Sequence, residues 1–318
     1  MKYRIEKDSL GDVKVPSKAL WGAQTQRALN NFTISGIKFA FPFGRSFIEA
    51  LGMIKFSAAA SNNKLKLLPA NKTAAIKSAS KDVINGLHDD SFPLDVFQTG
   101  SGTSTNMNAN EVIANLASKK SKLKINANDD VNMSQSSNDV IPTAICVSAL
   151  IDMNRLLLPN LDKLIKSIDL KMKQVKGKVK TGRTHLMDAM PIDFSQELSG
   201  WKAQLEANKK TIIQATNRMN ELPQGGTAIG TGINAHKDFS KHFCSELNKL
   251  SKFKTKPAKN FYQGLSSVDS AVELSSALKN LSVILMKISN DLRWMNSCLL
   301  YTSPSPRDRT RARMPSSA

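Results

Sequence analysis

No stretch of roughly 18 consecutive apolar residues occurs in this sequence, so a membrane-spanning helix is not expected. The opening MKYRIEKDSLGD lacks the apolar core of a secretory signal, and a cytoplasmic protein that makes no membrane contact is the expectation that follows. Cysteine is scarce: Cys146, Cys244 and Cys298 are odd in number and far apart, with no CxxC pair and no His at metal-ligand spacing. That pattern excludes a disulfide framework and a structural zinc, and predicts reduced thiols and no metal. Aromatic residues make up 6% of the chain and are not interleaved with its lysines. Although the net charge is +19, the lysines are therefore read as a solvated surface scattered from Lys2 to Lys287, not as a base-stacking face for nucleic acid. Such a surface can still steer small dianions toward a cleft. A basic, non-catalytic helical scaffold that binds nucleic acid is the alternative from another functional class.

What is present is helical texture. At 318 residues with 41% hydrophobic content the chain can bury a sizeable core. Residues 1–140 mix short helical patterns, such as 47–62 and 72–85, with loops rich in Pro, Gly and Asn. From about residue 141 the periods lengthen. Leu150, Met153, Leu157, Leu161, Leu164, Ile168, Met172 and Val175 form one stripe of a long helix that Pro159 should kink. A second helical stretch covers about 192–222, with Leu198, Trp201 and Leu205 on one face. In a third, Leu274, Leu278, Leu281, Leu285, Ile288, Leu292 and Met295 alternate spacings of four and three, which is a bundle seam. Val272, Val283 and Ile284 flank it, so this helix calls for neighbours on more than one side, from the same chain or from other subunits. After Asn296 the period stops. The string from Cys298 to Ala318 has three prolines and four arginines against one aspartate, and is read as an artefactual or disordered tail. The expected division is 1–140, 141–297 and 298–318.

Four segments carry candidate chemistry. TGSGTSTNMN, from residue 99, offers Ser101 and Thr103 hydroxyls for a carboxylate beside a loop whose small residues, Gly102 among them, allow close backbone approach before a helix. SQSSNDVIPTA, from residue 134, places Ser137, Asn138 and Asp139 as cap residues and Pro142 in the first turn of the following helix. Free amides at that helix start favour a negative ligand. TGRTHLMDAM, from residue 181, sets His185 beside Thr184 ahead of a helix, where an imidazole can take or give a proton near neutrality. GTGINA at 230–235 imitates a dinucleotide fingerprint, but no strand precedes it, so it is read as a tight loop close to a site or a neighbouring subunit.

Together with EKDSLGDVKVPSKALWGAQTQRALNNFTISG at 6–36 and NDLRWMNS at 290–297, the order and wording of these segments resemble the class II fumarases of the fumarase/aspartase superfamily. The likeness spans residues 4 to 297. Aspartases typically carry Gln at the position of His185 and GAGT in place of TGSGT, so the resemblance points to hydration rather than ammonia elimination, with an aspartase-like ammonia lyase as the nearer alternative. It implies a mainly α fold with an N-terminal helical domain and a long-helix bundle, three of whose five helices lie in this chain. It also implies a homotetramer whose active sites each draw on three subunits. The activity implied is reversible addition of water to fumarate, giving L-malate, without cofactor or metal. By matching positions, Ser101, Gly102, Thr103, Ser136, Ser137, Asn138 and Thr184 would bind the dicarboxylate substrate, and His185 would move a proton to or from the water. Where many fumarases have a His-Pro pair this chain has Asn126 and Ala127, which puts in question a secondary dicarboxylate site at Asn126, Asn128 and Asp129. The family's GSSxMPxKxNP loop, which bears the carbon-acid base, is not found in this sequence, and the 318 residues by themselves are expected to be inactive.

Overall fold

The computed structural model describes residues 2–38, 45–185 and 187–296; Cys298 and the basic tail lie outside the described residues. The described chain is mainly α, with ten α-helices and three two-stranded sheets. It divides into two compact units, one formed by residues 1–160 and 212–275, the other by 161–211 and 276–318. The expected border at 140/141 falls inside helix α5 (Ser137–Asp152).

The first unit opens with the antiparallel hairpin β1 (Tyr3–Asp8) and β2 (Gly11–Pro16), followed by α1 (Ala23–Asn31). Gly22, at the N-cap of α1, has no side chain to satisfy the helix's first amides. The Glu111 carboxylate takes that role, accepting from Gly22 N, Gln24 N and Thr25 N at 2.8, 2.8 and 3.1 Å. Glu111 belongs to α4 (Thr103–Ser121), so this cap ties the N-terminal segment to the core.

The centre of the unit is α2 (Ser46–Lys64), which packs against α4, α5, α3 (Ala70–Ile84) and α8 (Phe239–Ser251). It is buried nearly all round, because its Ala, Gly and Ser positions let neighbours close in on every side. Cys146 and Cys244 are free thiols inside this unit. Short parallel strands β5 (Glu221–Leu222) and β6 (Lys256–Pro257) and helix α9 (Phe261–Ser266) complete it.

The helix expected to kink at Pro159 is interrupted just before it. A π-helical turn, Met153–Leu157, separates α5 from α6 (Leu158–Val175). Pro159 has no N–H to return to the preceding turn, and a widened turn redistributes the hydrogen bonds. The Asn154 side chain donates to the Leu150 carbonyl at 2.7 Å as part of that change. The run from Ser137 to Val175 is long and apolar enough by composition to cross a membrane, with a mean hydropathy of 1.5 in its most apolar window. Its residues Val140, Ala144, Val147, Leu150 and Ile151 are nevertheless spent on the protein core.

In the second unit, Leu161 and Ile168 of α6, Leu198, Trp201 and Leu205 of α7 (Phe194–Arg218), and Ala277, Leu281 and Ile288 of α10 (Asp269–Met295) are buried. The α10 seam is half covered: Leu281 and Ile288 are buried, while Leu285 and Leu292 are exposed, as are Val283 and Met286 outside the seam. Trp201 Nε1 donates to Asp291 at 2.8 Å, which fixes α7 against the last turns of α10. The same unit holds an antiparallel hairpin, β3 (Val179–Thr184) and β4 (Met187–Asp193), that the sequence reading did not foresee.

Candidate functional site

The loop before α4 and the loop before α5 come together in the first unit. Gly102 caps α4 with φ at 67°, in the left-handed region, and a Cβ there would sit 2.8 Å from the Ile141 side chain on α5. Glycine is needed on both counts, for the backbone angle and for the close approach of the two helix starts. The Ser101 and Thr103 hydroxyls lie 3.0 Å apart, exposed, at the N-terminal end of α4. Gln98 braces the turn, its Oε1 accepting from Thr105 N at 3.0 Å and Thr105 Oγ1 at 2.8 Å. Amides left over at this end, with the helix dipole behind them, favour an anion.

At α5 the N-cap is Ser136. Its hydroxyl accepts from Asn138 N at 3.3 Å while Asp139 Oδ1 accepts from Ser136 N at 2.9 Å, a capping box. Counted from this cap, Pro142 is the sixth helical residue and lies in the second turn of α5, not the first. Asn138 is exposed and donates to Ala228 O at 2.7 Å. Ser137 is half-buried, and Asn106 Nδ2 of α4 lies 3.0 Å from its Oγ. The 223–234 loop, which runs into the GTGINA segment read as a tight loop close to a site or a neighbouring subunit, is fastened to the start of α5. Gly225 N and Thr227 N each donate to Asp139 Oδ2 at 2.9 Å. A Cβ at Gly225, whose φ is 103°, would lie 2.0 Å from Ser240 Oγ, so no other residue fits.

Beneath these loops sits a polar core that motif reading missed. Lys55, on α2, is fully buried, and its Nζ donates to Asn106 Oδ1, Asn132 Oδ1 and Gln135 Oε1 at 2.8, 3.0 and 3.0 Å. Burial pushes the Lys55 ammonium down to about 7, against the pull of the Asp139 charge. Burial likewise lifts the Asp139 carboxyl to about 6, opposed by its three backbone donors and by Lys55. A single Lys within the apolar run GMIKFSAAAS, and amides at alternate positions in TNMNANE, are the signals that could have marked it.

Thr184 and His185 belong to the second unit. His185 lies at the exposed turn of the β3–β4 hairpin with φ at 53°, and Thr184 pairs with Met187 beside it. His185 thus precedes a strand, not a helix.

Asn126, Asn128 and Asp129 share the N-terminal end of the π-helical turn Ala127–Val131. There Asn126 Oδ1 accepts from Asn128 N and Asp129 N at 2.8 and 3.0 Å. The Asn128 and Asp129 amides, which would otherwise face an anion, are taken by this side chain. The nearby cation, Lys72, is paired with Asp130 at 2.8 Å. Among the described residues no group of three or more His, Cys, Asp or Glu could hold a metal ion.

Residues 11–307 match the family model described as lyase. The sequence is 51% identical over 296 residues to the class II fumarate hydratase of Xylella fastidiosa strain Temecula1, covering 93% of this chain and 62% of that protein. It is 46% identical over 302 residues to the class II fumarate hydratase of Bacillus subtilis, covering 93% and 64%. This chain therefore spans somewhat under two thirds of the length of these relatives. Among solved structures, the fold is similar to a class II fumarase from Schistosoma mansoni, with a TM-score of 0.88 and 36% identity over 96% of this chain and 67% of the other. It is also similar to a fumarate lyase:delta crystallin from Brucella melitensis bound to cobalt, with a TM-score of 0.91 and 37% identity over 100% of this chain and 70% of that one.

Proposed function

Because the chain belongs to the lyase family, and within it to the class II fumarases, we propose that the full-length protein adds water reversibly to fumarate, giving L-malate. The observation that carries this is the junction of two hydroxyl-bearing helix starts, Ser101 and Thr103 at the start of α4 and Ser136, Ser137 and Asn138 at the start of α5, held together through Gly102, Ile141 and Asn106. Two such ends give donors and aligned dipoles to a dicarboxylate without a countercharge of their own.

In the direction from malate, a proton leaves the carbon beside a carboxylate and the electron pair moves onto that carboxylate, making an aci-carboxylate with an extra negative charge. Hydroxyl donors and helix amides aimed at its oxygens lower the barrier because their interaction strengthens as this charge grows. The C–OH bond then breaks, the pair returns to form the double bond, and the departing oxygen takes a proton. His185, with Thr184 beside it, is the group proposed to pass that proton, since an imidazole exchanges protons near neutral pH. None of the residues described is assigned the C–H proton.

The proposal includes a homotetramer, supported by the exposed apolar side chains Val283, Met286 and Leu292 on α10, which a lone chain leaves in water. It includes a cytoplasmic setting, supported by the free thiols Cys146 and Cys244. The test is an assay of the full-length protein with malate and with aspartate, following the absorbance of the fumarate double bond. Fumarate is expected from malate and not from aspartate; the opposite preference would make the protein an ammonia lyase.

A further inference from the structure

The buried ammonium of Lys55 reaches the surface of the candidate site through one intermediate, Asn106. Lys55 Nζ has three acceptors, the side-chain oxygens of Asn106, Asn132 and Gln135, at 2.8 to 3.0 Å. An ammonium has three N–H bonds and no lone pair, so three acceptors and no donor match it. A neutral amine would turn its lone pair toward one of those oxygens.

This fixes the Asn106 amide. Its oxygen must face Lys55, so its NH2 must face the other way, toward Ser137 Oγ at 3.0 Å and Asn132 Oδ1 at 3.3 Å. Ser137 Oγ is then an acceptor in that bond, and its own hydrogen is left for another partner. Ser137 is half-buried at the start of α5, beside the α4 loop with its exposed Ser101 and Thr103 hydroxyls. We propose that Lys55 is a positioning residue that, by orienting the Asn106 carboxamide, sets Ser137 as a hydrogen-bond donor toward a substrate carboxylate, a role that rests on the hydratase proposal. With the amide reversed, Ser137 would donate inward to Asn106, and would present only lone pairs to an anion.

A direct readout is neutron diffraction from crystals of the chain exchanged into D2O. The expected result is Asn106 Nδ2 deuterium on the line to Ser137 Oγ, with the Ser137 deuterium pointing away from Asn106. A Ser137 deuterium directed at Asn106 overturns the proposal, whether or not any ligand binds. A second arm uses fumarate affinity of the full-length protein in a double-mutant cycle. Asn106→Asp keeps the shape, pairs directly with Lys55 and so should fold, but offers Ser137 only acceptors. It is expected to weaken fumarate binding about tenfold, as the loss of one charge-assisted bond does. In the Ser137→Ala background the same change should cost less than about twofold, because there is no hydroxyl left to turn. Lys55→Met is expected to follow the same pattern. Equal losses in both backgrounds would mean that Lys55 and Asn106 only support the fold, and would overturn the assignment. Absence of fumarate binding by the wild type would sink the hydratase proposal alone, leaving the neutron result to decide this one.

Discussion

Replacing Asp139 by Ala is expected to cost the fold about 3–5 kcal/mol, the largest loss foreseen for any single side chain here. Asp139 is fully buried, and its two oxygens receive Ser136 N, Gly225 N and Thr227 N, each at 2.9 Å. Alanine leaves three backbone donors without a partner, at roughly 1–3 kcal/mol for a buried orphan, and removes the one carboxylate whose charge supports buried Lys55. It also removes two of the bonds that hold the 223–234 loop to α5, leaving the one from Asn138 to Ala228 O. Denaturant titration should show a lower midpoint. A loss below about 1 kcal/mol would contradict this account of the polar core.

The effect has a pH signature. Since burial raises Asp139 to about 6, the folded state holds this proton more tightly than the unfolded chain does. The stability that comes from holding it is fully present below the unfolded value near 3.8 and is lost as pH rises through about 6. The penalty for Asp139→Ala should therefore be smaller at pH 7 than at pH 4.5.

The largest effect on activity is expected at His185. In the full-length protein, His185→Asn should lower kcat by about 10²- to 10⁴-fold, the usual worth of a positioned acid or base. KM for malate should change far less, because carboxylate binding is assigned to Ser101, Thr103 and Ser137. His185 is exposed on a hairpin turn and supports no buried contact among the described residues, so stability should be nearly unaffected. A variant with stability and kcat both intact would remove His185 from the proton path.

Much of this was legible in residue order. The α7 stripe of Leu198, Trp201 and Leu205 reads directly from spacing, and all three are buried. The α10 seam was legible as a period but not as to which line would be covered. A repeat of seven puts Leu281 and Ile288 on one line and Leu285 and Leu292 on the other, and only packing partners decide between them. The β3–β4 hairpin was hidden because its strands are mostly exposed and carry no hydrophobic alternation. Ser101, Thr103 and Ser137 announced themselves by motif, whereas Lys55 did not. Its meaning depends on Asn106, Asn132 and Gln135, which lie 51 to 80 positions away in the chain and meet it only on folding.

The most direct measurement is a crystal structure of the full-length protein with fumarate bound. A carboxylate is expected about 3 Å from the hydroxyls of Ser101 or Thr103 and of Ser137, at the two helix starts. Fumarate found only at the Ala127–Val131 turn, or nowhere near α4 and α5, would contradict it.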